Sequence, residues 1–245
     1  MKTPSHIFLF TGIFALAMGL LETIVVVYLR QIYYPAGFEF PLVEFSPFMM
    51  KVELLREAAT IIMLVTVGIL AGKNFNRSFA FFIYTFALWD ISYYIGLKLL
   101  LNWPASLLTW DILFLIPVVW VGPVLAPVLC SLAMITLAVI IVLLENKKVK
   151  PVVSRLEWFL FITGSLVVLW SFLRDYSLLL IKGHYLSQLS TLESNQSFHQ
   201  AIDNYIPSWF DWPVFCLGIV LIMLGIGRML LRLISNKSVS LTSNL

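Results

Sequence analysis

The sequence predicts an all-α, polytopic membrane bundle of about six transmembrane helices plus one half-helix or re-entrant segment, in a single domain spanning 1–245. Three observations predict it. The 245 residues are 60% hydrophobic and only 12% charged, whereas soluble domains carry about 25% charged residues. Mean hydropathy is +0.95. Runs of about 20 apolar residues, enough to cross a hydrocarbon core of about 30 Å as helix, recur between charged or turn-forming punctuation. The same composition excludes other classes. A net charge of +3 with no clustered basic face gives no hold on nucleic acid. The chain is too apolar to be disordered, and two cysteines, Cys130 and Cys216, cannot staple a small secreted fold.

Taken in order, the first run covers 7–29; it follows Lys2 but is too long for a signal-peptide core, and it reads as a transmembrane helix. The second, 51–72, carries charges in its opening turns. The third is 79–101. The stretch from 112 to 144 is apolar throughout yet too long for one span, and Pro117, Gly122, Pro123 and Pro127 interrupt it. It divides into a half-inserted or kinked piece over 110–121 and a fourth span over 123–144. The fifth and sixth spans are 156–181 and 213–234. An outer loop over 182–212 is long enough to cap the bundle, and the tail from 235 is polar.

Short loops rich in Lys and Arg stay in the cytoplasm. With both termini inside, the inner side collects Lys2, Lys73, Arg77, Lys147, Lys148, Lys150, Arg155, Arg228, Arg232 and Lys237, and the run 145–155 is the strongest vote. Among the 13 acidic residues only Glu145 and Glu157 fall on that side. A bacterial inner membrane is the expected location.

The acidic asymmetry points to a site. An ionised group at bilayer depth costs at least about 2.5–3.5 kcal/mol and needs a partner or water. Glu22 lies about 22 Å into the first span and Asp90 about 16 Å into the third. In the second span Glu53, Arg56 and Glu57 are spaced i, i+3 and i+4, so they share one helix face, with Arg56 placed to offset two like charges. Asp90, Tyr93 and Tyr94 likewise share a face. Charges delivered to one depth by separate helices pack inward at least cost, which predicts a single polar pocket opening outward, completed by Glu22 or Asp111. Lys98, Arg174 and Asp175, near helix ends, read instead as structural pairs or snorkelling groups, and so does Glu53 as an alternative to its place in the pocket. Trp89 and Trp120 are the aromatic residues placed to line the pocket; Tyr33, Tyr34, Trp103, Trp110, Trp209 and Trp212 read as an outer interfacial belt.

None of the three histidines lies mid-membrane, so neither haem nor a zinc site at depth is expected; His184, His199 and Asp203 lack zinc-site spacing. Oxygen ligation of a hard cation by Glu53, Glu57 and Asp90 is chemically sounder, but Arg56 beside them opposes it. No cofactor and no metal are expected. No G-x-S-x-G, H-E-x-x-H, P-loop or Rossmann motif occurs. The leading expectation is a proton-linked permease, or small-anion or substrate transporter, with Glu22, Glu57 and Asp90 as protonatable groups and Arg56 attracting an anion. Two other classes stand beside it. One is an intramembrane enzyme acting on a lipid or lipid-linked substrate, with Glu57 or Asp90 as general base; the other is an accessory subunit of a larger membrane complex. Lipids are the expected surroundings. Because six spans are few for a carrier, a homodimer or a partner membrane subunit is expected too.

Overall fold

The computed structural model describes residues 4–146, 153–185 and 195–242. Six of the described helices are long and apolar enough to cross a membrane, the mark of an integral membrane protein. They are α1 (Pro4–Tyr33), α2 (Pro47–Ala71), α3 (Phe75–Leu101), α4 (Leu125–Asn146), α5 (Arg155–Lys182) and α7 (Trp212–Thr242). A short α6 (Gln196–Asp203) lies in the segment read from sequence as loop. Of the basic run 145–155, Lys147, Lys148 and Lys150 lie outside the described residues, as do 186–194 of the long loop and the end of the tail.

Local chemistry sets the helix starts. Ser46 accepts from the Met49 N–H with Pro47 in the first turn of α2, and Asn74 accepts from the Arg77 N–H at α3. At α5, Ser154 and Glu157 form a reciprocal capping box. Asn195 caps α6 by accepting from the Ser197 and Phe198 N–H groups. Each cap satisfies backbone donors that the first helical turn leaves without intrahelical partners.

One element differs in kind from its expectation. Residues 110–121 do not form a half-helix; β1 (Trp110–Phe114) and β2 (Trp120–Pro123) pair as an antiparallel hairpin with a bulge between Ile112 and Phe114. Pro117 and Pro123 deny a helix its N–H donors. Trp110, Ile112, Phe114, Trp120 and Val121 are aromatic or β-branched residues that favour extended backbone. The strands satisfy each other's polar groups, and the Trp120 indole N–H donates to the Ile116 carbonyl at 2.9 Å, closing the loop between them.

α3 is the central helix: α1, α2 and α4 all pack on it, while α5 packs on α7 and α4 joins the two groups. Small residues let the helices approach. Gly19 and Thr23 of α1 meet Ser92 and Gly96 of α3, and Thr23 Oγ1 lies 2.8 Å from the Gly19 carbonyl and 3.2 Å from the Tyr93 carbonyl, a bond that crosses between the helices. Gly164 of α5 and Gly218 of α7 face each other so closely that a Cβ on either would lie 2.8 Å from the other's carbonyl oxygen. One apolar core, including Phe81, Ile141 and Met229, fills the end near the termini. Another, with Leu42, Val121, Tyr176 and Ile202, lies beneath the hairpin and α6. Between them a cavity remains. Large apolar residues on the outer faces, such as Phe48, Leu55, Leu70 and Leu99, are exposed, as lipid-facing positions require.

Gly218→Val drives two branches into the α5 backbone, so its unfolding midpoint in detergent falls, at a cost of about 1–3 kcal/mol. Gly227→Ala, where an added Cβ meets nothing within 4 Å, leaves the midpoint unchanged or slightly raised. A thermal-unfolding comparison checks both.

Candidate functional site

The α1–α3 seam brings Glu22, beside Thr23, to the level of Asp90 and Tyr93 on α3. α2 adds Glu53, Arg56 and Glu57 on the face foreseen from their spacing. Arg56 is the hub. Its Nε donates to Glu53 Oε2 at 2.9 Å and its Nη2 to Glu53 Oε1 at 2.6 Å, a bidentate pair. Its Nη1 donates to Glu22, and Glu57 Oε1 stands 4.0 Å from Nη2. One guanidinium thus answers three carboxyl groups from two helices. Any anion drawn to Arg56, as the sequence leads one to expect, competes with the carboxylates already bonded to its Nε, Nη1 and Nη2.

The hairpin closes this cluster from one side. The Leu115 N–H donates to both Glu57 oxygens, at 3.1 and 3.0 Å. Asp111, nearly fully buried in β1, accepts from Arg30 Nη2 at 3.2 Å. Arg30 is itself buried against aromatic faces, its guanidinium carbon 3.7 Å from the Trp103 ring centre and 4.5 Å from that of Phe38. Trp103, expected in an interfacial belt, serves as the platform for a buried cation. Asp90 accepts from Ser131 of α4 at 2.8 Å, and the Tyr93 and Tyr94 rings lie edge to face 5.0 Å apart.

All eight residues singled out from the sequence, Glu22, Glu53, Arg56, Glu57, Asp90, Tyr93, Tyr94 and Asp111, line one cavity of about 650 Å³. Trp89 and Trp120 line it as well. Among the described residues its charged groups are six carboxyls, Glu22, Glu44, Glu53, Glu57, Asp90 and Asp111, against two guanidiniums, Arg30 and Arg56. The charge is confined to the half near the hairpin. Toward the termini the walls are Phe79, Ile83 and Phe86 of α3, Met134 and Leu137 of α4, Phe161 of α5 and Ile222 of α7. Trp89 Nε1 and Arg30 Nη1 are buried without a hydrogen-bond partner among the described residues.

Arg30, Ser131 and the Leu115 backbone were not singled out from the sequence. Arg30 was legible in principle: Glu22, Val26, Leu29 and Arg30 repeat at i, i+4, i+7 and i+8 and all face the cavity, but the apolar run was ended at residue 29. Ser131 and the Leu115 N–H carry no sequence signal.

The groups near helix ends have other work. Arg174 donates to Asp211 at 2.9 Å and lies over Trp209, while Lys98 reaches the carbonyls of Asn102 and Pro104 beyond the end of α3. The Tyr205 hydroxyl donates to Asp175 at 2.7 Å, and burial together with that carboxylate pushes its pKa up. His199 pairs with Glu44. Among the described residues no group of three His, Cys, Asp or Glu side chains is disposed to hold a metal ion.

Removing one partner of a buried ion pair leaves an uncompensated charge and costs about 3–5 kcal/mol, whereas replacing both is far milder. Asp111→Leu alone is expected to destabilise by that amount, and Arg30→Met/Asp111→Leu by clearly less. Chemical unfolding in micelles measures the difference.

Comparison with protein-family models, with curated proteins and with solved structures finds no match to this chain.

Proposed function

We propose that the chain is a proton-linked permease whose substrate site is this cavity, with Glu22, Glu57 and Asp90 as the protonatable groups. The observation that carries the reading is the imbalance at Arg56: Glu22, Glu53 and Glu57 converge on one guanidinium inside a ligand-sized cavity. Surplus negative charge in a poorly hydrated site is costly, so protons or a bound cation must offset it. A site that exchanges one for the other has the linkage that coupled transport requires. Glu57 is also tied to the hairpin through Leu115, so a change in its charge alters the hold on that element.

A second reading has one observation in its favour. The apolar half of the cavity suits a lipid chain, as an intramembrane enzyme acting on a lipid substrate would need. Co-purified lipid converted by the wild type and not by Glu57→Gln decides for it. For the permease, proteoliposomes under a pH gradient are exposed to single compounds from a panel of charged and neutral small molecules. Compound-dependent collapse of the gradient, abolished in Glu57→Gln/Asp90→Asn protein with an unchanged unfolding midpoint, is the expected result. Collapse that is independent of compound, or that persists in the double variant, overturns the proposal.

The charge distribution supports an orientation with both termini cytoplasmic and the hairpin and α6 outside, in a bacterial inner membrane. In a Cys130→Ala/Cys216→Ser background, Gln196→Cys is expected to react with an impermeant maleimide on intact cells. Lys73→Cys reacts only after permeabilisation. The reverse pattern inverts the topology.

A further inference from the structure

The two halves of the cavity make different demands on whatever fills it. The half near the hairpin is anionic: among the described residues six carboxyl groups, one of them, Glu44, paired with His199, stand against two guanidiniums, Arg56 held by Glu53 and Glu22 and Arg30 held by Asp111 through Nη2 alone. Ionised carboxylates only accept hydrogen bonds. Asp90 is met by the Ser131 hydroxyl, and Asp111 has a further acceptor to fill. Asp111 is 2% exposed, in the cavity wall, its Oδ1 taken by Arg30 Nη2 and its carboxyl met by the Tyr94 phenol and the Ile112 N–H at the edge of bonding geometry, so Oδ2 is only weakly held. A ligand that offsets this charge brings positive charge and donors for the carboxyls, beside an acceptor for Arg30 Nη1 and Trp89 Nε1. Trp89 and Tyr93 line the same wall, and a desolvated aromatic face binds an ammonium group favourably.

Among the described residues the other half carries no charge. From Asp90 to Phe79 the lining face of α3 descends through Phe86 and Ile83 over 11 residues, about 16 Å of helix. Met134 and Phe161 face it from α4 and α5. An inorganic cation or a small polar solute leaves this length of cavity without a partner. Its lining also changes owners: α1 and α2 contribute from Glu22 and Ile61 toward the hairpin, and α3, α4, α5 and α7 alone line the rest.

We infer that the cavity binds a single-chain amphipathic organic cation, its ammonium or guanidinium head among Glu22, Glu57, Asp90 and Asp111 and its apolar tail along Phe86, Ile83 and Phe79. This rests on the reading of the cavity as the substrate site and names the substrate class. The cation takes the place of the protons that otherwise offset the surplus carboxylates, so head and proton compete.

The test uses the full chain in nanodiscs of neutral phosphatidylcholine, titrated with dodecyltrimethylammonium below its micelle concentration and followed by tryptophan fluorescence. Dodecanoate, dodecanol and tetramethylammonium supply the wrong charge, no charge and no tail. Saturable binding of the cation at least about tenfold tighter than each comparator, the equivalent of about 1.4 kcal/mol, is expected. Affinity falls by about the same factor in Asp90→Asn, and on acidification as protons refill the carboxyls. Ile83→Trp, which obstructs the tail, weakens the dodecyl compound and leaves tetramethylammonium unaffected; it serves as the second variant should Asp90→Asn fail to fold. Equal affinity for cation and anion, or insensitivity to both substitutions, overturns the inference.

Mass analysis of an organic extract of the purified protein separates the sources. A single-chain amine recovered with protein from cells given no amphipath is of lipid origin. Recovery only after dodecyltrimethylammonium is supplied marks a ligand taken from outside. Cation binding with no gradient-driven movement sinks the permease and leaves the ligand class standing. Proton-linked movement of compounds with no preference for amphipathic cations does the opposite.

Discussion

Three carboxyl groups share the Arg56 guanidinium, and the arrangement of the helices around it follows from that constraint. Glu53 alone could pair with Arg56 along α2 and leave α1 indifferent. Because Glu22 also reaches it, α1 and α2 are joined by charge where they have little side-chain packing. Both helices lean on α3 instead, and the Gly19–Thr23 seam against Ser92 and Gly96 sets the height at which Glu22 arrives. A shift of one helical turn, about 5.4 Å, would separate Glu22 from Arg56 and strand an unpaired carboxylate at depth. Close packing and electrostatics therefore fix the same register.

The cavity is what this packing leaves over. α5 and α7 bind each other backbone to backbone at Gly164 and Gly218, and α4, together with the packing of Trp158 on Phe75 and Phe79, links that pair to α3. Between the two groups stands a gap, with the hairpin at one end and the Phe81–Ile141–Met229 core at the other. Gly122 at the base of β2 allows Phe172 and Phe210 to close on the strand, so the cover is held by α5 and by the segment entering α7. The polar groups cluster beneath the cover because those residues of α1, α2 and α3 are the ones that meet it.

Much of this was readable in the sequence, for identifiable reasons. Hydrophobic run length sufficed for the six spans, since a bilayer imposes both helix and length. The i, i+3 and i+4 spacing of Glu53, Arg56 and Glu57 placed them on one face, and the cost of charge at depth brought Glu22, Asp90 and Asp111 to the same cavity. What stayed hidden depends on long-range pairing. The prolines over 104–127 ruled out a continuous helix, but nothing local states that Trp110 and Pro123 will pair as strands. Arg30 was passed over because hydropathy ended α1 a turn too soon. The direction of Arg56's bonds, toward carboxylates, needed the partner from another helix. The cap of α6 at Asn195 was present in the loop but had no long apolar run beside it to draw attention.

The bond from the Leu115 N–H to Glu57 belongs to the main chain, so every residue type except proline can make it. Side-chain replacement at position 115 is silent there, and natural drift at that position carries no record of the contact. The tie between the hairpin and the ionisable face of α2 is inherited through the curvature of residues 114–120, which Pro117 and the Trp120–Ile116 bond enforce.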